Sequence, residues 1–103
     1  GKKMIVVNGV IKVAAGAIDA VLDAIATMEA ESLKERGCQV YAFSVDLSDA
    51  TTVRITERWD TKDDLLQHFT LPHMADFQAA LAAVEIQSMD VKFFDATESD
   101  IQI

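Results

Sequence analysis

Residues 53–60 read VRITERWD, an alternation typical of a β-strand with one apolar face. Strand side chains point alternately to two faces, so Val53, Ile55 and Trp59 share one face. Glu57 lies on that same apolar face. An unpaired buried carboxylate costs several kcal/mol or takes up a proton. Glu57 is therefore expected to have a partner, a hydrated cavity or a catalytic task.

Three more strands are predicted from alternation and composition. Residues 39–45 alternate, residues 46–50 are turn formers, and residues 51–59 return as the second strand of a hairpin. Residues 4–13, MIVVNGVIKV, are rich in β-branched side chains and nearly apolar on both faces, which is typical of a central strand. Residues 86–94 alternate again and predict a last strand.

Helices are predicted in the two segments between these strands. Apolar residues recur at helical spacing from Ala17 to about Arg36, and Gly37 can end that helix in a left-handed conformation. A second helix is predicted over residues 62–69. It breaks at Pro72, which suits the first turn of a further helical segment.

The predicted order is β-α-β-β-α-β, the ferredoxin-like arrangement of an α+β domain, with a four-stranded antiparallel sheet and helices on one face. The 103 residues fit one domain, with a core over residues 4–94 and an acidic tail over residues 95–103. Neither face of the first strand is polar. The sheet face that the helices leave uncovered is therefore expected to pair with a second copy in a homodimer.

Composition limits the classes of partner and compartment. The net charge of −8 argues against nucleic acid and anionic membranes as partners, because both would repel the chain. Cys38 is the only cysteine, so no internal disulfide forms, which suits a reducing cytoplasm. No apolar run approaches the roughly 20 residues that cross a bilayer. A cytoplasmic protein is expected.

Four motifs follow one another along the chain: GCQVYAF at residues 37–43, ERWD at 57–60, LLQHF at 65–69 and LPHMADFQAAL at 71–81. Together they resemble the antibiotic biosynthesis monooxygenase domain family, from Met4 to about Phe94. The resemblance implies a dimeric α+β barrel with pockets between sheet and helices. Members of this family include cofactor-free monooxygenases of phenols and hydroquinones, haem-degrading enzymes, an isomerase-like protein and proteins with no known reaction.

Two histidines are the candidate catalytic bases. Oxygen transfer without a cofactor requires an electron-rich substrate, a base that forms its phenolate, and an apolar pocket. His68 lies near the apolar side of its helix, and His73 follows Pro72 at a helix start. The alternatives are structural, with His68 satisfying backbone or a carboxylate such as Glu57, and His73 making a local contact at the helix start.

Four further residues are candidate substrate-binding groups. Asn8 stands beside a glycine in mid-strand and is expected at the pocket floor, and Tyr41 is expected to orient the substrate. Trp59 is expected to form an aromatic wall. Glu57 ranks first as the orienting partner of a histidine or a helix amide, and second as an acid in its own right. For Asn8 and Trp59 a purely structural role is the alternative.

No metal or other cofactor is expected. His68 and His73 are five apart across a proline, rather than the four of a helical zinc pair, and no third ligand is evident. Haem is disfavoured as well. Asn8 and Trp59 match roles in the haem-degrading relatives, but the position of their proximal histidine falls near Gln78, which is not a haem ligand of that type.

The first functional hypothesis is a cofactor-independent monooxygenase that acts on a small phenolic or quinol-type aromatic. It rests mostly on the family resemblance. The alternative is a non-oxidative dimer that binds or isomerises a small metabolite in the same pocket. A third hypothesis is a structural or stress-related dimer without catalysis.

Overall fold

The computed structural model describes residues 1–103. Its elements in chain order are β1 (Lys3–Val13), a 3₁₀ turn (Ala17–Val21), α1 (Leu22–Leu33), β2 (Cys38–Asp46), β3 (Asp49–Trp59), α2 (Lys62–His68), α3 (Pro72–Leu81) and β4 (Ile86–Thr97). The four strands form one antiparallel sheet in the order β2-β3-β1-β4. This confirms the predicted ferredoxin-like α+β arrangement.

The first helix is shorter than its apolar spacing predicts. A 3₁₀ turn precedes α1, and α1 ends at Leu33. The chain then tightens, with the amide of Glu35 donating to the carbonyl of Ser32 at 3.0 Å. Gly37 has a φ of 79°, which confirms its predicted left-handed conformation. Glu35 therefore lies in a turn between α1 and β2 rather than on a helix.

The break at Pro72 places the two histidines on different helices. Thr61 caps α2, its side-chain oxygen accepting a hydrogen bond from the amide of Asp64 at 3.1 Å. His68 is the last residue of α2, and Pro72 occupies the first turn of α3. His73 follows directly, so both imidazoles lie near the corner between the two helices.

The two faces of the sheet differ sharply. Strand register pairs Val7 with Glu57, and Asn8 with Thr56. On the face of Val7 the sheet packs against the helices. The core there consists of Ile5, Val7, Met28, Tyr41, Trp59, Leu65 and Phe77. None of the helices has the length and hydrophobicity needed to cross a lipid bilayer.

The other face carries Asn8, with Arg54, Thr56 and Arg58 from the neighbouring strand, and all four are exposed. Val6 lies among them and is only half-buried. Within one chain, the middle of the first strand, from Val6 to Val10, is therefore covered well on one side only. The pairing of the second side with another copy stays a prediction.

Candidate functional site

One carboxylate oxygen lies between the two histidines. Oε2 of Glu35 is 2.6 Å from Nδ1 of His68 and 2.6 Å from Nε2 of His73. The side chains are 8%, 1% and 15% exposed for Glu35, His68 and His73, respectively. Short hydrogen bonds at such low exposure are the strong, charge-assisted kind. The three side chains form a single unit, called the Glu35 triad below.

These hydrogen bonds set the protons of the triad. An ionised carboxylate only accepts, so Nδ1 of His68 and Nε2 of His73 are the nitrogens that carry hydrogen. In neutral rings, Nε2 of His68 and Nδ1 of His73 then keep their lone pairs. Neither of these two nitrogens takes part in the hydrogen bonds of the side chains. The hydrogen bonds to Glu35 therefore fix the tautomer of each imidazole and leave one basic nitrogen on each ring.

The sequence did not indicate Glu35. It lies 33 residues before His68 and in a stretch, LKERG, that looks like a solvated helix end. Only the turn after α1 and the corner at Pro72 bring the three side chains together. Both predicted histidines are in the site, and the structure assigns their carboxylate partner to Glu35 rather than Glu57.

Glu57 has a different partner. Its Oε1 accepts a hydrogen bond from Nε1 of Trp59 at 2.9 Å, and both side chains are buried. Burial raises the pKa of the Glu57 carboxyl. The indole hydrogen bond and the charge of His68 oppose that rise, whereas Glu35 adds to it. The partner that the buried Glu57 requires is thus Trp59, which lies two residues along the same strand and on the same face.

Two aromatic rings pack against the buried imidazole. The ring centroid of His68 is 5.0 Å from that of Trp59 and 5.3 Å from that of Tyr41. Burial, followed by the charge of Glu57, raises the pKa of the Tyr41 hydroxyl far above its ordinary value. Tyr41 therefore stays protonated and can donate a hydrogen bond, but it is no base at neutral pH.

Asn8 does not join the other predicted site residues. It is exposed on the opposite face of the sheet, where it pairs with Thr56. The reason is register. Glu57 lies opposite Val7, so the residue next to Val7 must point away from the helices. Gln78, at the position compared with the haem ligand, is exposed on α3.

The single cysteine lies close to the two buried carboxylates. Burial, together with the charges of Glu35 and Glu57, raises the pKa of the Cys38 thiol to about 11. A thiol with this pKa remains protonated at neutral pH, and the thiolate is the reactive form. Cys38 is therefore unsuited to act as a nucleophile.

The larger cavities lie beside the triad rather than inside the predicted pocket. Trp59 is fully buried and His68 nearly so, and the space around them is packed. An apolar cavity of about 350 Å³ lies between α2 and β4, with Lys62 and Asp95 as its polar lining. Its apolar lining consists of Ile5, Leu65, Leu66, Phe69, Phe93 and Phe94. The sequence did not single out this set.

Phe69 lines this apolar cavity and also packs against the triad. Its ring centroid is 5.9 Å from that of His68 and 6.3 Å from that of Phe93. A second cavity, of about 630 Å³, is polar and borders Glu35 on the outer side, with Asp63, Asp64 and Gln67 among its lining. The polar cavity thus borders Glu35 directly, whereas the apolar cavity meets the triad only through Phe69.

The family model for antibiotic biosynthesis monooxygenases matches residues 4–80 of the chain. The chain belongs to this family. All three members of the Glu35 triad lie within the matched segment. Phe93 and Phe94, which line the apolar cavity, lie beyond it. The matched segment thus contains the whole Glu35 triad but only part of the lining of the apolar cavity.

Solved structures share the fold of this family member. A candidate antibiotic biosynthesis monooxygenase from Deinococcus radiodurans has a TM-score of 0.85 and 24% identity, covering 96% of this chain and 97% of that one. Another from Caulobacter crescentus has a TM-score of 0.85 and 20% identity, covering 94% and 92%.

A Bacteroides thetaiotaomicron protein of unknown function, described as a possible oxidoreductase, has a TM-score of 0.81 and 23% identity, covering 93% of this chain and 100% of that one. At these identities the similarity shows the fold alone. No curated protein matches the chain at a significant level.

Proposed function

We propose that the protein is a cofactor-independent monooxygenase that uses O₂ to oxidise a small phenolic or quinol-type aromatic. The observation that carries the proposal is the Glu35 triad, in which a buried carboxylate bonds two imidazoles at 2.6 Å. An imidazole base whose other nitrogen donates a hydrogen bond to a carboxylate is a common way to activate a hydroxyl group. Membership of the monooxygenase family supports the same reaction class.

The first step of the proposed reaction is proton transfer. Nε2 of His68 takes the proton of the phenolic hydroxyl, and Glu35 stabilises the imidazolium through the bond at Nδ1. His73 shares the same carboxylate oxygen and holds it in place. The phenolate that forms is electron-rich enough to react with O₂.

The second step is oxygen transfer. A ring carbon of the phenolate gives two electrons to O₂, one at a time, and a carbon–oxygen bond forms to a peroxide. The peroxide takes a proton from His68, and the hydroperoxide then loses water as its O–O bond breaks and the ring hydrogen at that carbon leaves. One phenol and one O₂ give one quinone and one water. The substrate supplies all the electrons, so no external reductant is needed.

The apolar cavity between α2 and β4 is the proposed seat of the aromatic ring. Its volume of about 350 Å³ lies within the range typical of small-molecule sites. Phe69 is half exposed and stands between this cavity and His68, so the substrate must displace its ring to reach Nε2. Lys62 and Asp95 at the polar edge then face the ring's substituents.

The proposed working form is a homodimer that pairs through the uncovered sheet face. That face carries the half-buried Val6 and Val10 and the exposed Phe94, which also borders the apolar cavity. Of its two arginines, Arg54 pairs with Asp46, whereas Arg58 forms no ion pair within the chain. The acidic tail at residues 95–103 has the opposite charge. A second copy can therefore supply both apolar surface and complementary charge.

Oxygen uptake with a panel of hydroquinones and phenols tests the proposal. The protein, treated with a chelator, should consume O₂ and form a quinone in equal amounts. A His68→Ala, His73→Ala double variant should lose most of the rate, because general bases typically contribute about 10²- to 10⁴-fold. An undiminished rate in the double variant would eliminate the histidines as the base, and no uptake with any substrate would eliminate the oxygenase.

Ligand binding without oxidation is the second candidate function. The 1% exposure of the His68 side chain favours it, since such a base reaches a ligand only after Phe69 moves. On this account an aromatic ligand enters the apolar cavity and is held there unchanged. Quenching of Trp59 fluorescence without oxygen consumption would select this function over the monooxygenase.

A further inference from the structure

We propose that Glu35, His68 and His73 also form a binding site for a divalent transition-metal ion, with Zn²⁺ as the representative. Each side chain offers one ligand atom, and the three atoms lie within 4.8 Å of one another. This site goes beyond the monooxygenase proposal, because it depends on ligand geometry and not on any reaction with oxygen.

The donor set selects the class of ion. Two imidazole nitrogens and one carboxylate oxygen suit zinc, cobalt, nickel and ferrous iron. Magnesium and calcium prefer oxygen ligands alone and are expected to bind weakly here. The sequence argued against a metal because no third ligand was evident. Glu35, brought in by the turn after α1, is that third ligand.

The distances define what must move when an ion enters. The two oxygen–nitrogen contacts of 2.6 Å are hydrogen bonds, whereas ligands of a tetrahedral zinc ion lie about 3.3 Å apart. Each contact must therefore open by about 0.7 Å, a change within reach of side-chain rotation. Nδ1 of His68 and Nε2 of His73 must give up their hydrogens, and each ring can take one at its other nitrogen.

The surroundings favour a cation and give it a route. The polar cavity of about 630 Å³ borders Glu35, and Asp63, Asp64 and Gln67 contribute oxygen atoms to its wall. Arg36 is the one cationic side chain of that wall, and it pairs with Asp64 at 3.9 Å. The chain carries a net charge of −8. An ion arriving from solvent therefore passes acidic side chains before it meets the triad. The same cavity can hold the water molecules that complete the coordination shell.

Metal binding and general-base catalysis exclude each other at this site. With the ion on Nδ1, the hydrogen of His68 moves to Nε2, which is the nitrogen proposed to take the substrate proton. A bound ion would therefore block the oxygenase reaction. The site has two incompatible uses, set by the availability of metal.

Titration of the chelator-treated protein with Co²⁺ tests the site, because cobalt bound by nitrogen and oxygen ligands absorbs visible light. One equivalent should give a saturable spectrum that Zn²⁺ displaces and Mg²⁺ does not. His73→Gln and Glu35→Gln should each weaken binding at least about tenfold. Asp63→Asn removes a charge from the cavity wall but no ligand, and it should weaken binding far less than His73→Gln does.

His73→Gln is the decisive variant because His73 is the more exposed of the two histidines, at 15%, and circular dichroism can verify its fold. A folded variant that binds cobalt like the parent would overturn the site. Absence of stoichiometric binding by the parent, or weakening by Asp63→Asn equal to that by His73→Gln, would overturn it too. Cobalt binding without any oxygenase activity would support the site and count against the monooxygenase alone.

Discussion

Glu57 and Trp59 are two residues apart on one strand face, and the indole N–H donates to the carboxylate at 2.9 Å. The alternation of VRITERWD predicted that Glu57 needs a partner. It could not predict which one, because a histidine, a helix amide and the neighbouring indole all satisfy a carboxylate. Glu35 was harder still, since its sequence neighbourhood resembles a solvated helix end. Glu35 meets the two histidines only because of the turn after α1 and the corner between α2 and α3.

Glu57→Gln tests the cost of the buried carboxylate. Burial raises the pKa of Glu57, against the Trp59 hydrogen bond and the His68 charge, so ionisation opposes folding. Protonation of Glu57 contributes fully to the stability of the folded protein below pH 4.5, the ordinary pKa of a glutamate. That contribution is lost as the pH rises through the raised pKa of the folded state. The variant should therefore gain stability relative to the parent as pH rises above about 4.5.

Urea unfolding of both proteins at several pH values, from about 4.5 to about 7.5, measures this difference. The matched control is Glu31→Gln, since Glu31 is 44% exposed and pairs with Lys34 on the surface. The control should behave like the parent at every pH. A gap between Glu57→Gln and the parent that shrinks with rising pH would contradict the account.

At the scale of elements, the ends of the helices determine the site more than the helices themselves do. Pro72 predicted the boundary between α2 and α3, and that boundary allows His68 and His73 to meet at one oxygen. The end of the first helix was predicted about three residues too late, because apolar spacing does not show where a helix gives way to a turn. Those residues carry Glu35, so the error concealed the third member of the triad.

Gly37→Ala should destabilise the turn that holds Glu35. Gly37 has a φ of 79°, and an added Cβ would collide with the carboxyl of Asp64. The backbone conformation alone costs about 1 to 2 kcal/mol for a residue with a Cβ. Gly16→Ala is the matched control, since Gly16 has a φ of 78° with open space around it.

Both glycine variants should lose the backbone contribution to the free energy of unfolding, and Gly37→Ala should lose more. Chemical denaturation of the two variants gives the difference directly. Adding Asp64→Ala to Gly37→Ala should recover part of the loss. Equal destabilisation by the two glycine substitutions would contradict the role given to the Asp64 contact.

At the scale of the whole molecule, the order and pairing of the strands followed from alternation and turn residues. The sequence pattern did not predict which side chains meet on the uncovered face, because that depends on the register between adjacent strands. The first strand is apolar on both faces, yet its neighbours bring Arg54 and Arg58 beside Val10 and Val6. That same alignment moves Asn8 away from the site.

The distribution of charge is the other whole-molecule property that composition could not show. The chain has nine lysines and arginines, and four of them lie on the uncovered sheet face: Lys12, Arg54, Arg58 and Lys92. Three of the four are paired within the chain, Lys12 with Asp49, Arg54 with Asp46 and Lys92 with Asp90, so the positive charge of this face is largely offset. This face is the proposed seat of a second copy, whereas the Glu35 triad lies on the opposite side of the sheet among the helices.

The central claim is that Glu35 and the two histidines act as one base, and the rate of oxygen uptake by Glu35→Gln tests it most directly. The measurement uses chelator-treated protein and a hydroquinone that the parent oxidises, with Glu31→Gln as the control. The amide keeps the size of the side chain but cannot stabilise an imidazolium as a carboxylate does. Glu35→Gln should lose at least about 10²-fold in kcat, and Glu31→Gln should match the parent. A folded Glu35→Gln variant with the parent's rate would contradict the account.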